Sequence, residues 1–167
     1  MKKLLFVGLL FLAQTTFANV PTIGEIRALY EKSVSDEASC NKLAEILSPY
    51  DEENNPLYAG YRASAIMMMA KHVFNPFSKF SYFKKGKSLL EKAIKADENN
   101  IELRFLRFNA QTHSPSFLGY DDDIENDKKF LEDSFATIKD EQLKAFLFPY
   151  LKKSDYFAAD KKRHLQL

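Results

Sequence analysis

A chain of 167 residues with 24 basic and 23 acidic side chains is close to neutral, and 46% of it is apolar. That length suits one domain with a substantial core, and the charge balance excludes a general electrostatic pull toward nucleic acid or anionic lipid. A single cysteine, Cys40, excludes an internal disulfide, so packing alone must hold the fold.

Met1-Lys2-Lys3, the apolar run Leu4–Ala13 and the small-residue segment ending at Ala18 have the pattern of a secretory signal. The apolar run is about half of the ~20 residues needed to span a bilayer. The expectation is cleavage after Ala18 and no membrane span, and no cysteine stands near the cleavage point to take a lipid. Removing 18 of the 167 residues leaves 149, and two of the 24 basic residues go with them, so 22 face 23 acids for a net charge near −1. The expected organisation is a signal peptide (1–18), one helical domain (19–152) and a basic C-terminal tail (153–167). The expected compartment is the periplasm, with secretion as the alternative.

In chain order, Thr22 and Glu25 form a capping box, and Ile23, Ile26, Tyr30 and Val34 recur at helical spacing, which predicts a first helix over 22–34. Ser35 or Asp36 caps a second helix with Cys40, Leu43, Ala44 and Leu47 on one face, stopped at Ser48-Pro49. Cys40 therefore reads as a core residue. Asn55-Pro56 starts a third helix, N-cap followed by proline at the first helical position. It is apolar on two sides up to Val73 and so must be covered on both. Met67, Met68 and Met69 point about 100° apart on a helix, so they fill core rather than converge on a metal.

After Asn75-Pro76 a fourth helix runs to Ala96, with Phe77, Phe80, Phe83, Leu90, Ala93 and Ile94 as its apolar stripe. Its lysines 79, 84, 85 and 87 read as a solvated face over an aromatic core rather than a nucleic-acid surface. Gly86 inside it costs about 1 kcal/mol against alanine, which implies close approach of a neighbouring helix. A fifth helix, about 100–113, has Ile101, Phe105 and Phe108 on one face and Leu103, Leu106 and Ala110 on the other. Between them lies a polar stripe, Arg104, Arg107 and Gln111. His113 in its last turn meets the negative end of the helix dipole.

The turn Ser116–Tyr120 is expected to fold onto the core. Asp121–Asp123 opens a sixth helix with Ile124, Leu131 and Phe135 inward. Its carboxylates Asp121, Asp123, Glu125, Asp127 and Glu132 match EF-hand spacing, but Asn126 replaces the required glycine and the segment continues as helix, so no calcium site is expected. A last helix, about 140–151, turns Leu143, Phe146, Leu147, Tyr150 and Leu151 inward, with Pro149 expected to kink or end it.

The segment GKSLLEKAIKADENNIELRFLRF, residues 86–108, resembles the tetratricopeptide repeat: Gly86, Leu90 and Ala93 stand at small, large and small positions, with Glu98 where the repeat has proline. More widely, residues 61–127 resemble small exported bacterial proteins with tetratricopeptide-repeat-like (TPR-like) helices. The resemblance implies an all-α envelope protein and no particular activity.

The expected fold is thus an all-α, single-domain, TPR-like array of antiparallel helical hairpins, seven or eight helices in all. No catalytic, phosphate-binding or metal motif occurs, so no enzyme, cofactor or metal is expected. The leading reading is an interaction or scaffold protein with a protein or peptide partner, and Arg104, Arg107 and Gln111 are its candidate binding residues for an acidic ligand. Their alternative role is to pair with Asp97, Glu98 or the 121–127 carboxylates and tie successive helices together. The competing readings are a small hydrolase using His72 or His113 with a carboxylate, and a structural subunit of an envelope complex or homo-oligomer.

Overall fold

The computed structural model describes residues 20–157, so the expected signal peptide and the tail beyond residue 157 lie outside the described residues. Among these it is all-helical: α1 (Ile23–Ser33), α2 (Glu37–Ile46), α3 (Pro56–His72), α4 (Pro76–Ala96), α5 (Ile101–Thr112), a 3-10 turn (Ser116–Leu118), α6 (Ile124–Phe135) and α7 (Glu141–Lys153).

Local chemistry sets most of the boundaries. Thr22 Oγ1 accepts from the Glu25 N–H at 3.3 Å while the Glu25 carboxylate accepts from the Thr22 N–H at 2.8 Å, a complete capping box. Asp36, Asn55, Asn75, Asn100 and Asp140 cap α2, α3, α4, α5 and α7 by accepting main-chain N–H bonds of the first turn. Pro56 and Pro76 follow their asparagine caps at the position where a missing N–H costs nothing. Asp123 precedes α6 without capping it, because its carboxylate is turned to Arg107.

α3 is the centre of the array, packed against α1, α2, α4 and α5. Ala59, Tyr61, Ala63, Ala65, Ile66, Met67 and Met69 are buried on it, as apolar residues on two faces require. A Cβ on Gly86 would lie 2.6 Å from the Ala63 carbonyl oxygen and 2.8 Å from the Met67 nitrogen, so glycine lets α4 meet the α3 backbone directly. Phe105, Leu103, Leu106, Leu90, Leu131, Phe135, Leu147 and Leu151 complete the core. α7 closes it by setting the Phe146 ring edge-on to Tyr30 of α1 (6.1 Å) and Phe105 of α5 (5.6 Å).

Four expectations change. The apolar stripe of α4 begins at Phe83, because Phe77 and Phe80 are exposed. With Gly86 fixed against Ala63 and Met67, the antiparallel register sets Phe77 level with the hairpin turn, beyond the end of α3. In the turn after α5, Tyr120 folds onto the core but Phe117 does not; Gly119 takes the left-handed φ of 55° that reverses the chain. Pro149 does not end α7, which continues to Lys153; Ala145 and Pro149 are both exposed, so the carbonyl freed by the proline faces water. The chain also stays packed past residue 152, with Phe157 buried against Phe108 at 5.6 Å.

Candidate functional site

Arg104 and Arg107 lie one turn apart on α5 and face α6, where Asp127 is fully buried. Arg107 Nε donates to Asp127 Oδ2 at 2.6 Å and Nη2 to Oδ1 at 2.8 Å, a bidentate fork. Its third nitrogen, Nη1, reaches Glu91 at 3.0 Å and Asp123 at 3.1 Å. Burial works against the Arg107 charge, and the hydrogen bonds and charge of Asp127 overcome it, holding the guanidinium above its ordinary value. Arg104 Nε also donates to Asp127, its guanidinium lies 4.7 Å over the Phe130 ring, and Nη1 donates to the Glu98 carbonyl. Tyr120 donates to the far oxygen of Glu91.

The structure therefore brings Arg104 and Arg107 together around one carboxylate and joins α4, α5 and α6 through them. Both arginines border an open groove of about 750 Å³ with Lys95 and Lys129, so an acidic ligand there would have to share them with Asp127. Gln111, the third residue of the stripe, is buried; neither its amide oxygen nor its nitrogen has a hydrogen-bond partner among the described residues.

A second ionic knot was not singled out from the sequence. Arg27 of α1 donates Nε and Nη2 to the two oxygens of Glu102 of α5, both at 2.8 Å, and Tyr61 of α3 donates its hydroxyl to the same carboxylate. All three are buried. The Glu102 hydrogen bonds hold Arg27 above its ordinary value, and burial followed by the Glu102 charge raises the Tyr61 phenol well above 10. The Arg27 guanidinium also lies 5.7 Å from the Phe146 ring centre. The signal was present: Arg27 sits at helical spacing between Ile23 and Tyr30, and Glu102 lies between the Phe105 and Leu106 faces of α5, on the edge opposite the arginine stripe.

A third feature is apolar. Val34, Met67, Met68, Phe83 and Leu106, from α3, α4, α5 and the end of α1, line a pocket of about 170 Å³ with Lys71, Asn109 and His113 at its polar edge. Asn109 Nδ2 donates to the Tyr30 hydroxyl at 2.7 Å, which fixes one wall. An adjoining cleft of about 270 Å³ shares Asn109, His113 and Tyr150 and extends to Ser154–Tyr156. Both border α5 at Asn109 and His113 and are the two parts of a candidate groove along it.

The histidines within the described residues act on main chain. His113 Nδ1 lies 2.9 Å from the Asn109 carbonyl, a capping contact at the end of α5, and His72 Nε2 lies 3.1 Å from the Ser33 carbonyl. His164 lies outside the described residues. Cys40 is buried, points Sγ at the Ala65 carbonyl at 3.1 Å, and has its thiol pushed up to about 11 by burial. No cluster of three or more His, Cys, Asp or Glu among the described residues could hold a metal ion, and no helix there is long and apolar enough to cross a membrane. Compared with family models, curated proteins and solved structures, the chain matches none.

Proposed function

We propose that this chain is an exported, TPR-like helical interaction protein that captures a protein or peptide partner by one apolar side chain in the groove along α5. The observation that carries the reading is the pocket between Val34, Met67, Met68, Phe83 and Leu106. Its volume of about 170 Å³ is close to that of engineered apolar cavities of ~150 Å³ that take up a benzene ring. Two methionines in its wall give a deformable lining suited to more than one anchor shape. Lys71 at the edge supplies a donor for a carbonyl or carboxylate of the partner backbone, and His113, whose Nδ1–H is taken by the Asn109 carbonyl, supplies Nε2 as an acceptor for a partner N–H. In this reading Arg104 and Arg107 are the tie between α5 and its neighbours, since three carboxylates already take the Arg107 donors.

The signal-like N-terminus supports export, and the pattern of residues 86–108 supports the likeness to tetratricopeptide arrays, which present grooves to peptides. The test is selection of a displayed random-peptide library on the protein lacking residues 1–18, with the pocket-filling variant Ala110→Leu in parallel. Enriched peptides should share one large apolar residue and fail to bind the variant. Peptides that bind both forms equally, or no enrichment at all, would refute the reading.

A further inference from the structure

We propose that the tip of the α3–α4 hairpin is a membrane-interface anchor that inserts three phenylalanines into an anionic lipid bilayer. Phe74 in the turn is 98% exposed, Phe77 on the first turn of α4 is 87% exposed, and Phe80 is 57% exposed. Three aromatic rings held in water within seven residues are a costly arrangement for a surface with nothing to cover it. Around them the charge is of one sign. From Lys71 to Leu90 the chain carries Lys71, Lys79, Lys84, Lys85 and Lys87 and neither aspartate nor glutamate. None of these lysines has a carboxylate within 4 Å among the described residues; Lys87 instead donates to the Gly119 carbonyl and covers the Tyr120 ring at 4.5 Å.

The near-neutral charge of the whole chain thus conceals a local excess. Phe77, Phe80 and Lys84 fall at i, i+3 and i+7 and share the outward side of α4, opposite the side where Gly86 and Leu90 are buried. Phenylalanines at an exposed hairpin end with lysines around them match the two layers of a membrane surface: rings reach the acyl boundary while ammonium groups stay with anionic headgroups. The rings stand at the end of a hairpin rather than in a groove, and a fluid interface accepts them without matching their shape.

The experiment is co-sedimentation of the protein lacking residues 1–18, whose described fold begins at Val20, with vesicles of phosphatidylglycerol and phosphatidylcholine or of phosphatidylcholine alone. Binding is expected to the anionic vesicles only and should weaken at high salt. Replacing Lys79, Lys84 and Lys85 by Gln should lower the partition coefficient on the order of 100-fold, at about 1 kcal/mol per lysine. The variant Phe74→Ser/Phe77→Ser/Phe80→Ser should lower it at least ~10-fold. Circular dichroism melts should match wild type for both variants, because the altered side chains are exposed. Failure of wild type to sediment with anionic vesicles, or unchanged sedimentation of the folded variants, would overturn the proposal. So would light scattering in which the phenylalanines hold a dimer and vesicles bind nothing, for the patch would then be a contact between copies.

Discussion

Asp127→Ala tests directly whether the Arg104–Arg107 stripe is a structural tie. The substitution removes the acceptor of two Arg107 hydrogen bonds and one from Arg104, and leaves an Arg107 side chain that is only 8% exposed. Hydrogen bonds to charged groups contribute about 1.5–3 kcal/mol each, but such losses do not add when they share one carboxylate. Removing one partner of a buried pair costs about 3–5 kcal/mol. Glu91 and Asp123, each about one-third exposed and within 3.1 Å of Arg107 Nη1, remain as partial acceptors and pull the expectation to the low end, about 3 kcal/mol. For a domain of this size that is roughly 6–12 °C in melting temperature. Urea unfolding followed by circular dichroism gives the value, and Arg107→Ala with the double variant completes a cycle whose coupling should exceed ~1.5 kcal/mol. An Asp127→Ala protein within about 0.5 kcal/mol of wild type would refute the structural reading of the stripe.

Other predictions follow from packing and protonation. Gly86→Ala should destabilise by about 1–2 kcal/mol in urea unfolding despite its better helix propensity, because the new methyl meets α3 backbone. Gly60→Ala should cost less, since the nearest obstacle is a terminal methyl of Leu103 that can rotate away. At pH 8 the Cys40 thiol, raised to about 11 by burial, should react with a disulfide reagent only as the protein unfolds; fast reaction in the native state would contradict its place in the core. Asp140 is held below its ordinary value first by the Leu143 N–H, then by the Gln142 N–H and the Arg27 charge. A depressed carboxylate contributes stability that is present above its unfolded value of about 4 and is lost as pH falls through the lower folded value. Asp140→Asn keeps the cap without the titration, so its stability should fall less steeply below about pH 4, as acid-titrated melts would show.

What the sequence displays about this fold is mainly what neighbouring residues decide. Thr22 with Glu25, Asn55 with Pro56 and Asn75 with Pro76 place helix starts within a residue, because a cap and its N–H partners lie within three positions. Gly86 announced a close helix contact by being a poor helix former in an otherwise regular stretch. The Arg104–Arg107 stripe was visible on the helical wheel, and its link to the 121–127 carboxylates was one of two readings. The Arg27–Glu102 bond joins residues 75 apart, and nothing local pairs them until α3 brings α1 and α5 together around Tyr61. The exposure of Phe77 and Phe80 depends on the register of α3 against α4, which periodicity within α4 alone does not contain. The α5 groove is likewise built from side chains of α1, α3, α4, α5 and α7, so its apolar residues read in sequence as ordinary core.

Calorimetric titration of a library-selected peptide measures whether a partner docks by an apolar anchor in that groove. Burying one such side chain is worth about 1.5–3 kcal/mol, or roughly 10- to 150-fold in affinity. A loss of that size is expected both when the anchor is replaced by alanine and when Ala110→Leu fills the pocket. Unchanged affinity in both would contradict it.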